Sequence, residues 1–253
     1  MLERILPPEV TGVEAFQDSP GATLFPEEQA VIARAVDKRR NEFATARACA
    51  RAALARLGQP PAPILPGLRG APQWPAGVAG SITHCEGYRA AAVARIADVV
   101  SLGLDAEPNE ALPDGVFDIV AVASERAQLA GLAVTEPGVC WERLLFCAKE
   151  SVYKTWFPLA QRWLDFDEAE IVIDVPSGTF TARLLVPGPL VAGSPLTLLR
   201  GRWLASRGLL VTAIVVPVLP LAASDGSCPQ TVVQSGMAAA SSLGAYGDRE
   251  GPA

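Results

Sequence analysis

Asp105 and Glu107, in the segment SLGLDAEP, are a pair of carboxylates whose spacing suggests chemistry. In an extended strand alternate side chains share a face, so the two point the same way, about 7 Å apart at ~3.3 Å per residue. Two such carboxylates repel each other unless a cation lies between them. A hard divalent ion such as Mg²⁺ serves that purpose and is typically shared with phosphate oxygens. A DxE at a strand end is also an ordinary structural feature, and the pair alone leaves both readings open. A third carboxylate, Glu150, sits in WERLLFCAKESVYKTWF (141–157), where Trp141, Leu145, Ala148, Val152 and Trp156 form one apolar stripe at helical spacing. Phe146, Tyr153 and Phe157 cover much of the other side, so the helix is expected to be buried between layers. Glu150 falls among those aromatics and needs a partner, a proton or a metal. An ion pair with Lys154, four residues on, meets the same need.

Cationic groups gather elsewhere. Residues 34–56 carry seven Lys or Arg against two acids, whereas residues 98–142 carry nine acids against one base. Arg40, Arg47 and Arg51 are spaced by seven and four and so share one helix face. Guanidinium forks suit phosphate, but two solvated faces explain the same charge pattern. His84 is the only histidine. With neither a G-x-S-x-G elbow nor a P-loop, a hydrolase triad is not expected. A polar core or ligand-contacting histidine fits better.

These groups need elements to hold them. Pro26 followed by Glu27 and Glu28 makes a favourable first helical turn. After Asp37 a second helix is expected, with Phe43, Ala46, Ala50, Leu54 and Leu57 as its apolar stripe and Gly58 as its stop. Residues 58–78 are rich in proline and glycine and read as a long loop, pinned by Ile64 and Trp74. Strands are expected at 80–83, 89–96, 99–107, 169–175, 178–185, 200–206 and 208–216, with helices opening at Ser124 and covering 139–157. Helices followed by strands in each half give an α+β pattern with largely antiparallel strands.

At 253 residues the chain is long enough for one or two domains and a sizeable core. A net charge of −6 argues against a general nucleic-acid binder. Five scattered cysteines without a CxxC pair argue against a disulfide framework or a zinc site, and fit a reduced, cytoplasmic setting. The N-terminus has no apolar signal region. The longest apolar run, 209–223, is too short and too proline-interrupted to span a membrane. From about residue 222 the composition turns to Ala, Ser and Gly, and 222–253 is expected to be a disordered tail.

Taken in order, RRNEFATARACARAAL (39–54), GAPQWPAGVAGSITHCEGY (70–88), GLDAEP (103–108) and FCAKESVYK (146–154) resemble the 4'-phosphopantetheinyl transferases of the surfactin and enterobactin synthetase type. The resemblance implies two similar α+β halves, here 1–107 and 108–221, with the active site in the cleft between them. It implies Mg²⁺-dependent transfer of the 4'-phosphopantetheine arm of coenzyme A to a serine of an acyl or peptidyl carrier protein, releasing adenosine 3',5'-bisphosphate. Carriers of polyketide synthases, nonribosomal peptide synthetases and fatty acid synthases are the implied partners, Mn²⁺ is an alternative ion, and a monomer is expected. By similarity, Asp105, Glu107 and Glu150 are the metal positions and Glu150 with Lys154 the catalytic pair. Arg39, Arg47, Thr83, His84 and Lys149 fall at or near positions that hold the nucleotide. Relatives often carry a lysine where this chain has Pro66, and Arg69 is the cation available to replace it. A Mg²⁺-dependent phosphohydrolase and a non-catalytic binder of coenzyme A are the competing readings.

Overall fold

The computed structural model describes residues 1–218, so the expectation for 222–253 lies outside the described residues. The first half is a three-stranded antiparallel sheet in the order β1 (Thr11–Ala15), β3 (Tyr88–Arg95), β2 (Val78–Cys85), covered by α2 (Asp37–Arg56). The short α1 (Pro26–Val31) precedes α2. The apolar stripe expected of α2 is real: Phe43, Ala46, Ala50 and Leu54 are buried. Cys49, Ala50, Ala53 and Leu54 pack with Ile64, Ala91 and Val93. The 58–78 loop is pinned as its residues suggested. Ile64 is fully buried, and the Trp74 indole N–H donates to the Gly80 carbonyl at 2.9 Å. The tight β2–β3 turn needs Gly87, whose φ of 72° lies in the left-handed region.

The second half is a five-stranded sheet in the order β4 (Val99–Pro108), β10 (Leu209–Pro217), β9 (Leu198–Ser206), β6 (Thr179–Leu184), β5 (Ala169–Asp174), so the strand at 99–107, expected in the half 1–107, pairs with this sheet instead. Each of its pairings is antiparallel. The helices α3 (Val116–Val120), α4 (Ala123–Thr135) and α5 (Trp141–Ala160) belong to this half, and a two-residue hairpin pair, β7 (Leu190–Val191) and β8 (Ser194–Pro195), projects from it. Trp141, Leu145, Trp156, Ile171, Phe180 and Leu199 are central to its core. Pro158 sits inside the last turn of α5, which closes at Gln161 in the left-handed conformation. The helix thus runs three residues past its expected end at 157.

The halves repeat one buried device. In the first, Glu28 is fully buried; one of its oxygens accepts the Phe25 N–H at 3.0 Å, capping α1, and the other accepts the Ile64 N–H at 2.9 Å. Arg51 of α2 neutralises it. In the second, buried Glu125 accepts the Val122 N–H at 2.8 Å, capping α4, and the Ile171 N–H at 2.7 Å. Lys149 of α5 neutralises it at 2.9 Å. In each half a carboxylate near a helix start ties a distant backbone segment to the long helix behind it.

β4 joins the halves. Its ladder side pairs with β10. Its other side faces β2, where two hydroxyls replace a backbone ladder: Leu104 N–H donates to Ser81 Oγ at 3.0 Å and Ala106 N–H to Thr83 Oγ1 at 3.1 Å. The numbering rises together on both strands, so they run in the same direction. Along β4 the two-residue period divides the faces. Leu102, Leu104 and Ala106 enter a core with Tyr88 and Val211. Ser101, Gly103, Asp105 and Glu107 face α5, with Ser101 Oγ donating to the Thr155 carbonyl at 2.7 Å.

Candidate active site

α5 and β4 meet α2 and the 66–74 loop around a cavity of about 890 Å³, a size suited to a cofactor-sized ligand. Arg39, Arg47, Arg69, His84, Glu150 and Lys154, all expected to take part, line it. Cations from the first half form one side of it and the α5 pair the other. Arg40 and Arg51 do not reach it. Arg40 donates to the carbonyls of Ala33 and Ala35, and Arg51 is held by Glu28. Of the three arginines on the shared face, only Arg47 is cavity wall.

Arg47 is buried, donates through Nε to the Ile64 carbonyl at 2.8 Å and stacks on the Phe43 ring at 4.1 Å. Burial pulls its pKa down to about 10, with Glu28 opposing, so it stays charged at neutral pH. Arg69, in the left-handed conformation at φ 52°, stacks on Trp163 at 5.1 Å. Arg39 Nη1 lies 2.6 Å from His84 Nε2. A guanidinium only donates, so His84 Nε2 accepts and its proton sits on Nδ1, 3.9 Å from Glu42. Burial and then the charge of Arg39 hold His84 below its usual 6.5, against Glu42.

The strand pair behaves as its parity requires. Asp105 is buried; its Oδ1 accepts the Thr83 hydroxyl at 3.0 Å and the Lys154 ammonium at 2.6 Å. Its Oδ2 is buried with no hydrogen-bond partner. Lys154 also donates to the Leu104 carbonyl at 3.2 Å. Burial alone would pull its pKa down, but Asp105 and then Glu150 outweigh burial and hold it above the usual lysine value. Burial and the neighbouring charge of Asp105 push Glu107 up to about 7, with Arg143 opposing. Burial first, then Asp105, also raises Glu150, and Lys154 opposes. The charge of Asp105 thus disfavours ionisation of both Glu107 and Glu150, a like-charge strain that a divalent cation would relieve.

Four expected residues are not part of the cavity wall: Asp105, Glu107, Thr83 and Lys149. Thr83 does not line the cavity; its hydroxyl is engaged by Asp105 and Ala106 and fixes the carboxylate. Lys149 points to the opposite side of α5. It pairs with Glu125 and donates to the carbonyls of Phe166 at 2.6 Å and Ala169 at 3.0 Å. Its assignment to nucleotide binding is corrected: neighbouring helical residues are ~100° apart, and Glu150 takes the cavity side. Arg143 was missed. It bonds Glu107 at 3.0 Å and the carbonyls of Ala111 at 2.6 Å and Glu110 at 3.2 Å. Its signal was its position seven residues before Glu150, on the same face of one helix. Glu42, which lies within 4 Å of Arg39, His84 and Arg89, was also missed.

Among the described residues no three His, Cys, Asp or Glu side chains form a ready-made metal cage. The donor set nevertheless fits a hard cation. It is all oxygen and includes a buried carboxylate oxygen without a partner, and Mg²⁺ favours a few carboxylates completed by phosphate and water over an all-protein cage.

Comparison with known proteins decides the family. The 4'-phosphopantetheinyl transferase N-terminal domain matches residues 27–94, and the 4'-phosphopantetheinyl transferase superfamily domain matches residues 101–192. The chain is 61% identical over 219 residues to 4'-phosphopantetheinyl transferase Svp of Streptomyces mobaraensis, covering 85% of this chain and 89% of that protein. The chain belongs to the 4'-phosphopantetheinyl transferase superfamily. It is 52% identical over 208 residues to 4'-phosphopantetheinyl transferase PptT of Mycobacterium tuberculosis, with 80% of this chain and 90% of that protein covered. It is 48% identical over 222 residues to 4'-phosphopantetheinyl transferase Npt of Nocardia iowensis, with 85% and 99% covered. The expected enzyme class and the two-half α+β phosphopantetheinyl transferase fold are borne out, and the surfactin/enterobactin-type subclass is consistent with both. Among the described residues no helix is long and apolar enough to cross a membrane.

Proposed function

We propose that this phosphopantetheinyl transferase moves the 4'-phosphopantetheine arm of coenzyme A to a serine of acyl or peptidyl carrier domains, those of polyketide synthases, nonribosomal peptide synthetases or fatty acid synthases. One observation carries the reading of the site. Beyond burial, the charge of Asp105 raises both Glu107 and Glu150, and Glu150 and Lys154 line a cavity that Arg39, Arg47 and His84 line as well. That arrangement suits a ligand with a diphosphate at one end and a further phosphate at the other. Asp105, Glu107 and Glu150 are the residues that would hold Mg²⁺, or Mn²⁺ in its place. When bound, such an ion supplies Lewis-acid polarisation of the diphosphate.

The chain's own residues account for the rest. Arg39, Arg47 and His84 hold the nucleotide's terminal phosphate, and Arg69 supplies a cation near the place where relatives often carry lysine. Glu150, kept more basic than an ordinary carboxylate, takes the proton of the carrier serine, directly or through a water. The serine oxygen forms a new bond to the β-phosphorus while the phosphorus–oxygen bond to the α-phosphate breaks. The electron pair leaves with adenosine 3',5'-bisphosphate. Lys154, charged and fixed between Asp105 and the Leu104 carbonyl, offsets charge developing on the phosphates. No covalent enzyme intermediate is needed, because positioning and charge neutralisation carry such a transfer. A monomer acting in the cytoplasm is consistent with this scheme.

The test is mass spectrometry of apo carrier domains incubated with the protein, coenzyme A and Mg²⁺. The expected result is a gain of one phosphopantetheine on at least one carrier. No gain on any carrier of a broad panel overturns the proposal, and cleavage of coenzyme A without a carrier points instead to the phosphohydrolase.

A further inference from the structure

We infer that Glu28 is a positioning residue for the nucleotide end of the ligand: through the backbone of Ile64 it aims the guanidinium of Arg47 into the cavity. The inference rests on the reading above, in which Arg47 helps to hold the nucleotide's terminal phosphate. Glu28 is fully buried and does not line the cavity, so any influence on a ligand passes through another group. Ile64 is that group. Glu28 Oε1 accepts the Ile64 N–H at 2.9 Å, and the Ile64 carbonyl accepts Arg47 Nε at 2.8 Å. A single residue is thus gripped by both of its backbone polar groups. Its side chain is fully buried in a cluster with Cys49, Ala50, Ala53 and Leu54 of α2.

The grip fixes a guanidinium that the protein otherwise orients only by stacking. The Phe43 ring, 4.1 Å away, sets its plane, and the bond from Nε sets its rotation within that plane. Among the described residues the η nitrogens of Arg47 donate to no group of the protein, so they remain for a ligand in the cavity that Arg47 lines. A guanidinium fork serves an anion best when its direction is set beforehand, because less ordering is left to pay for on binding. Glu28 is itself held in place: Arg51 neutralises it at 2.9 Å, and its Oε2 accepts the Phe25 N–H at 3.0 Å. Its charge also opposes the burial that lowers Arg47. Ile64 stands at the root of the cavity loop, where the carbonyl of the next residue, Leu65, accepts the Gln73 N–H at 2.8 Å. The second half contains the same buried device, but there Glu125 ties the Ile171 N–H, and neither residue lines the cavity. Glu125 is therefore the natural control.

The experiment measures, by calorimetry on the full-length protein with Mg²⁺, the affinity for coenzyme A and for 3'-dephosphocoenzyme A, which lacks the terminal phosphate. Wild-type protein is expected to favour coenzyme A by about tenfold or more, the scale of one hydrogen bond to a charged group. Glu28→Met removes the acceptor of the Ile64 N–H and is expected to lose most of that preference, while 3'-dephosphocoenzyme A binds nearly as before. Adding Glu28→Met to Arg47→Met is expected to lower the preference no further, because both act on one contact. Glu125→Met is expected to keep the wild-type preference. A Glu28→Met protein that retains the preference, or that weakens both ligands equally, overturns the inference, as does an equal loss of preference in Glu125→Met. Should Glu28→Met fail to fold, Ile64→Ala, which loosens the same residue from α2, decides by the same comparison. The parent reading fails separately. A wild-type protein without the preference takes the terminal phosphate away from the basic wall, whereas a wild-type preference that Glu28→Met leaves intact removes only the role of Glu28.

Discussion

The Lys154 ammonium lies 2.6 Å from Oδ1 of Asp105, while Oδ2 of the same carboxylate is buried and unpartnered. The pair therefore compensates charge without satisfying the acid. Removing one partner and neutralising the other should differ in their effect on the fold. Lys154→Met leaves an uncompensated buried carboxylate and should cost roughly 3 kcal/mol of stability or more. Asp105→Asn removes the negative charge but keeps the shape, so the fold should survive. Both should lower phosphopantetheine transfer by about a hundredfold or more, the scale of losing one preorganised charged group. Thermal denaturation beside carrier mass spectrometry checks this; an active Asp105→Asn would remove the role given to that carboxylate.

His84 offers a direct probe of the basic wall because it is the only histidine in the chain. Burial and Arg39 depress its pKa below 6.5. The folded protein thus binds fewer protons than the unfolded chain just below that value. Stability should rise with pH up to about 6.5 and level off above it on account of this residue. The ring resonance in a proton NMR titration should move with a midpoint under 6.5 in the free protein. Adding adenosine 3',5'-bisphosphate should raise the midpoint, since an anion favours the imidazolium and draws Arg39 away from Nε2. An unmoved midpoint with bound nucleotide would mean that the phosphate does not lie against His84.

Lys149 provides a test of placement against motif. Lys149→Met leaves Glu125 buried and unpaired and should destabilise the protein by about 3–5 kcal/mol. Burial holds the Lys149 ammonium below the usual lysine value, with Glu125 opposing, as expected for a closed internal pair rather than a ligand contact. Coenzyme A affinity, measured calorimetrically below the melting temperature, should stay close to wild type. A selective loss of affinity with normal stability would return Lys149 to the nucleotide site.

The same contrast shows what the sequence could reveal. The strand parity of Asp105 and Glu107, the stripe of α2 and the pinned loop were readable because each depends on local periodicity or on one bulky residue. Lys149 was misread because its partner, Glu125, lies on another helix and no local pattern joins them. β1 escaped notice for a related reason: TGVEA is short, and only its pairing with Tyr88–Arg95 makes it a strand. The β7–β8 pair is shorter still. The hydroxyl links from Ser81 and Thr83 to β4 were also hidden, since serine and threonine in a strand say nothing about which backbone groups they will meet.

Gly103 is where fold and site depend most directly on each other. It lies on β4 two residues before Asp105, on the face turned toward α5, and a Cβ there would fall well inside contact distance of the Ser151 carbonyl and the Thr155 hydroxyl. Both obstructing groups are tied in place. The Thr155 hydroxyl donates to the Ser151 carbonyl at 2.8 Å, and the Thr155 carbonyl accepts Ser101 Oγ. Gly103→Ala must therefore push α5 away from β4, at a cost of about 1–3 kcal/mol for overpacking. Lys154 and Glu150 ride on the displaced turn, so transfer should fall far more than stability predicts, by about a hundredfold for a shift near 1 Å. Ser151→Gly keeps the carbonyl and should not rescue it. The measurement is the transfer rate at a temperature where thermal denaturation shows Gly103→Ala fully folded. A folded variant with the wild-type rate would mean that the close approach of β4 and α5 does not set the catalytic geometry.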